Sequence, residues 1–117
     1  MQVQKVQSNQ NFNGQVKFVN RHFVTRPFDK ISEYLPEKLG KSLETVNNKI
    51  KDADFDVFVM RDRENVKWFQ ILADKEYPST LKQKPVFVDE TVLKSVFGHA
   101  VDSAIEAFLN ATAKIHP

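Results

Sequence analysis

The sequence predicts an α+β domain. The expected form is a small, mainly antiparallel sheet of about four strands, in the order β-α-β-β-β-α. Two main helices accompany it, the C-terminal one long and amphipathic. Three observations lead there. Apolar residues from Leu93 to Thr112 recur at the three-and-four spacing of a helix. Two runs rich in β-branched and aromatic residues, 55–61 and 66–72, are joined by a short polar stretch, as in a β-hairpin. The strands are grouped between helices rather than alternating with them, which disfavours a parallel α/β sheet.

Each element follows in order. Residues 1–14 are rich in Gln and Asn and poor in apolar side chains, so they read as a disordered leader before a single domain, 15–117. Gln15 to Asn20 alternates weakly and reads as a short strand. Arg21 to Phe28 reads as a loop, and Asp29 as an N-cap, because its carboxylate can accept the free N–H groups of a first helical turn. A short turn is expected over 29–34. Leu35, Leu39, Leu43, Val46 and Ile50 then share one helical face. Pro36 lacks an N–H and is suited to the first helical position, so the main helix is expected from Pro36 to Lys51, weakened at Gly40 by ~1 kcal/mol.

Strands follow at 55–61, 66–72 and 85–88, with a turn at Tyr77-Pro78-Ser79-Thr80. Asp89 can cap the last helix, with Glu90 near the positive end of its dipole. That helix should run for roughly 22–24 residues, and its wide apolar stripe must pack on a sheet or another helix.

Composition excludes several function classes. There is no cysteine, hence no disulfide scaffold, no Cys-ligated metal and no thiol nucleophile. Lys and Arg number 17 against 15 Asp and Glu, for a net charge of +2, which lacks the concentrated basic stripe of most nucleic-acid binders. No apolar run approaches a membrane span, and the N-terminus has no signal-peptide pattern, so a cytoplasmic location is expected. With glycine only at 14, 40 and 98, neither a phosphate loop nor a dinucleotide fingerprint can be written.

The candidate polar constellations are thin. His99, Asp102 and Glu106 lie near one edge of the final helix and could offer metal ligands, but lack the second histidine of a metal signature. His22 and His116 have no such neighbours. Asp52, Asp54 and Asp56 mark a helix-to-strand junction without the glycine and distal glutamate of a calcium loop. No catalytic, cofactor-binding or metal residue is therefore assigned, and no cofactor is expected. The order helix–strand–strand–strand–helix over residues 36–114 resembles that of a double-stranded-RNA-binding domain. That family carries a Lys-rich segment at the start of its last helix. Here the stretch is Glu90-Thr91-Val92-Leu93-Lys94, so the resemblance is one of element order and implies no RNA binding.

The unusual feature is the hairpin. With Arg61 set opposite Val66, one sheet face holds Phe55, Val57, Val59, Val66, Trp68 and Leu72, the expected core face. The other holds Phe58, Met60, Lys67, Phe69 and Ile71, which form the candidate interaction face. A solvated face should be polar, and this one is largely apolar, so something should cover it. Elements of the same chain, a protein partner or second copy, or stacked bases beside Lys67, Arg61 and Arg63 would each serve. The expected function is a non-enzymatic protein-interaction module, with self-association through this face. The alternative is a single-stranded nucleic-acid-binding module using the sheet aromatics, and third comes a small enzyme whose site is assembled only by folding. No membrane partner is expected.

Overall fold

A computed structural model describes residues 12–21 and 29–115. The expectations for residues 1–11, for most of the Arg21–Phe28 loop, and for His22 and His116 lie outside the described residues. Four strands, β1 (Val16–Val19), β2 (Asp56–Arg61), β3 (Trp68–Asp74) and β4 (Val86–Asp89), form one sheet in that spatial order. The helices are α1 (Leu35–Leu39), α2 (Lys41–Ile50) and α3 (Leu93–Ile115), with 3₁₀ turns at Ile31–Glu33 and Glu90–Val92. β1 runs parallel to β2, and the other neighbours are antiparallel, so the sheet is mixed. The parallel pair follows from the helical crossover between β1 and β2. The class is α+β, as the sequence predicts.

All the helices lie on one side of the sheet. Val57 and Val59 of β2, Ile71 and Ala73 of β3, and Val88 of β4 meet Val46 and Ile50 of α2 and Phe97, Val101, Ala104 and Phe108 of α3 in a single core. Strand side chains alternate between faces, so this set fixes which phase of each strand points inward. α2 is also joined to α3 by a Lys49–Asp102 ion pair and by the Ser42 hydroxyl, which donates to the Lys94 carbonyl at 3.1 Å.

Three expectations need correction. The helix drawn from Pro36 to Lys51 is two helices. Gly40 sits between them at φ +56°, a left-handed conformation that side-chain-bearing residues rarely adopt. Its N–H closes α1 on the Pro36 carbonyl, and its own carbonyl accepts from Leu43 at the start of α2. Glycine here is a joint rather than a weak link. Asp29 does not cap a helix: Lys30 holds the N-cap position of the first 3₁₀ turn, and the Asp29 carboxylate is engaged by Arg61 and Tyr34.

The hairpin loop is longer than four residues, because β3 begins at Trp68 and not at Val66. Asp62 accepts the Asn65 N–H at 2.8 Å and the Gln70 side-chain amide at 2.6 Å, folding 62–67 into a polar turn. Arg61 therefore pairs with Phe69 instead of Val66. The difference of three residues is odd, and an odd shift exchanges the two faces of a strand.

The described residues include 12–14 before β1. Gly14 is buried, and a Cβ added there would lie 2.4 Å from the carbonyl oxygens of both Ile50 and Phe55. The residue holds the entry to β1 against the α2–β2 junction, where the Val16 N–H bonds the Asn47 side chain at 2.8 Å. Two backbone oxygens cannot step aside as a side chain would. Gly14→Ala should therefore cost about 1–3 kcal/mol or more, read as a lower urea midpoint at unchanged m-value. An unchanged midpoint would mean that this approach is not part of the folded state.

Candidate functional site

The expected interaction face is split by the true register. Phe58 and Met60 do lie on the face away from the helices, opposite Leu72 and Gln70. Phe69 and Ile71 lie on the core face, paired with Arg61 and Val59, and are fully buried in the core. Lys67 is exposed at the end of the hairpin loop, where its carbonyl accepts the Glu90 N–H at 2.8 Å. Phe58 and Phe69 are thus not neighbours on one surface.

The second face is largely covered by the chain itself. Phe58, Met60 and Leu72 are buried. The Tyr77 ring packs on Phe58 with centroids 5.5 Å apart. Arg21 lies beside them: Nη1 donates to the Arg61 carbonyl at 2.9 Å, and Nη2 lies 3.1 Å from the Met60 sulfur and 3.3 Å from the Tyr77 hydroxyl. Intramolecular cover thus accounts for the apolar character of this face at β2.

A cluster that sequence reasoning missed surrounds Arg61. This residue is 1% exposed and sits on the core face, with its guanidinium carbon 4.6 Å from the Phe69 ring centroid. Nε donates to Asp29 at 2.6 Å, Nη2 to the Tyr34 hydroxyl at 2.6 Å, and Nη1 to the Val66 carbonyl and, at 3.4 Å, to Glu90. The Tyr34 hydroxyl in turn donates to Asp29 at 2.8 Å. Burial of a guanidinium disfavours its charge, but the bonds to Tyr34 and Asp29 outweigh that and hold it charged. The signal was present in the sequence: residue 61 is in phase with Val57 and Val59, so it had to face the core and find acidic partners there. The cluster joins β2 to the segment before α1, to the hairpin loop and to the turn before α3. With its donors engaged internally, it serves the fold rather than a ligand.

Burial, and then the bond to Asp29, raise the Tyr34 phenol above its ordinary value of 10.0. A raised folded value means stability that is complete below pH 10.0 and is lost as pH rises through the higher value in the folded protein. Wild type should accordingly lose melting temperature above pH 10 more steeply than Tyr34→Phe, since the other titrating groups are common to both. Parallel curves would show that the phenol is not linked to folding. Asp89 moves the other way: bonds from the Thr91 hydroxyl and amide, at 2.7 and 2.8 Å, hold its carboxyl below the ordinary range as it caps the turn into α3.

Part of the exposed apolar surface lies at the β4 edge. The Glu90–Lys67 bond fixes the alternation: Val86 and Val88 turn their N–H and C=O toward β3, while Phe87 turns both outward and Asp89 its N–H. Phe87 is 51% exposed and Val92 44% exposed. Beside the strand, Trp68, Val92, Val96 and His99 help line an open groove of about 360 Å³. The opposite edge, β1, is flanked by the first 3₁₀ turn, where Asn20 accepts the Ser32 N–H and donates to its hydroxyl.

The other candidates do not assemble. His99 is exposed and Asp102 is paired with Lys49, and among the described residues no group of acidic or histidine side chains could hold a metal ion. Asp54 pairs with Lys75 at 3.3 Å and Asp56 with Lys17 at 3.0 Å. Among the described residues no helix is long and apolar enough to cross a membrane. No family model, curated protein or solved structure matches the chain.

Proposed function

We propose that this chain is a protein-interaction module that receives an extended strand of a partner protein along the β4 edge. One observation carries the reading. β4 leaves the N–H and C=O groups of Phe87, and the N–H of Asp89, outside the sheet, next to an apolar groove formed with α3. Such an edge supplies main-chain hydrogen bonds for affinity, and the adjoining groove supplies side-chain contacts for selection. It keeps the class of function expected from the sequence and moves its location from the middle of the second face to one edge.

Two measurements test it together: solution mass by light scattering from micromolar to millimolar protein, and selection of peptides from a displayed random library. Self-association, or a selected extended peptide, that is lost in Phe87→Lys supports the reading. A monomer that selects no peptide depending on Phe87 overturns it.

A further inference from the structure

We infer that the strand received at this edge is the β4 of a second copy, paired antiparallel about a two-fold axis through Phe87, an inference that rests on the reading of the β4 edge above. The argument is self-complementarity. A two-fold axis normal to the sheet keeps both helix layers on the same side of the joined sheet, so residues of like phase must stand opposite one another. Phe87 then faces Phe87 of the second copy, Val86 faces Val88, Pro85 faces Asp89, and Lys84 faces Glu90.

Main-chain chemistry fits this register. The outward N–H and C=O of Phe87 are exchanged reciprocally across the axis, and the Asp89 N–H meets the Pro85 carbonyl. Pro85 has no N–H to leave unsatisfied at the seam. Charge is compatible with it. The strand centre, Val86-Phe87-Val88, is uncharged, while beyond its ends Lys84 of each copy comes beside Glu90 of the other, whose carboxylate also meets Arg61 at 3.4 Å and Lys38 at 3.8 Å within its own chain. A displaced antiparallel register would lose these two pairings.

The second copy also accounts for the α3 surface beside the edge. Val92, at the end of the 3₁₀ turn, and Val96, His99, Ser103 and Asn110 of α3 follow one another at helical spacing, with Glu106 at the margin of this side and Lys114 one turn beyond Asn110. The first four line the groove or adjoin β4. α3 packs over β3 and β4, so the axis at Phe87 brings this side of α3 alongside its counterpart over the doubled sheet. A four-residue strand alone offers few hydrogen bonds, and the paired helices supply the apolar contact that makes the seam selective.

The absence of cysteine makes a direct test available in the full chain. A hydrogen-bonded antiparallel pair has Cα atoms about 5.5 Å apart, inside the range that a disulfide spans. Phe87→Cys should therefore form a disulfide-linked dimer under mild oxidation, much faster than Leu109→Cys, whose side chain is equally exposed but distant from the seam. Wild type should rise from one to two chain masses with concentration. Phe87→Asp, which sets two carboxylates against each other at the axis, should weaken the dimer by about tenfold or more while retaining the wild-type circular dichroism. Cross-linking no faster than in Leu109→Cys, or a wild type that stays monomeric at millimolar protein, overturns the second copy as occupant. A monomer that nevertheless binds a Phe87-dependent peptide overturns this inference alone, and one that binds none overturns the edge reading with it.

Discussion

Replacing Arg61 with Met should cost about 3–5 kcal/mol of stability, the scale of removing one partner from a buried ion pair. The side chain is among the most buried in the protein, and its donors reach Asp29, Tyr34, Val66 and Glu90. Methionine is of similar length and would fill much of the space over Phe69, so the loss would be electrostatic rather than a matter of volume. It would leave the Val66 carbonyl without its guanidinium donor and remove the cation from beside the Asp29 carboxylate. Arg61→Lys should recover only part of the loss, because an ammonium is a compact charge and cannot reproduce the planar fork that reaches these partners at once. Urea unfolding of the three proteins measures the difference. A loss below about 1 kcal/mol in Arg61→Met would show that well-packed apolar atoms replace the cluster, as buried pairs sometimes permit.

Arg61 also marks where the sequence was legible and where it was misread. The phase of β2 is plain, since Val57 and Val59 point inward and residue 61 must follow them. The phase of β3 depends on where the hairpin turns. The run from Val66 has high strand propensity throughout, so composition alone starts the strand two residues early. The turn is decided instead by the Asp62 carboxylate, which holds Asn65 and Gln70. Side-chain hydrogen bonds of this kind depend on three-dimensional placement, and a misjudged turn exchanges whole faces. Phe69 and Ile71 consequently moved into the core, while Trp68 and Leu72 moved out of it.

The last helix was legible because its signal is redundant: six turns repeat the same apolar spacing, and Asp89 caps the entry. Gly40 was legible only as a cost. Its role as the joint between α1 and α2 depends on a positive φ, which a single glycine inside a periodic pattern does not announce. The open β4 edge was not legible at all. Which strand ends a sheet is a property of the pairing order, and that order is set by packing between elements far apart in the chain.

Phe108→Ala should have the other large effect, again about 3–5 kcal/mol, through a different mechanism. Phe108 is 3% exposed, in the second half of α3, with its ring centroid 5.2 Å from that of Phe55, the residue just before β2. Removing the ring takes away both its transfer from water and its contact with Phe55, and leaves a cavity that α3 cannot close without shifting along its length. Leu109, the next residue, is 54% exposed and points away from the core. Leu109→Ala and Glu106→Ala should each change stability by less than about 0.5 kcal/mol. The comparison of neighbours controls for helix propensity, since all three variants end in alanine. Denaturant midpoints should fall sharply for Phe108→Ala and stay near wild type for the other two. Comparable losses at 108 and 109 would mean that the inward face of α3 is rotated from the one that the apolar spacing selects.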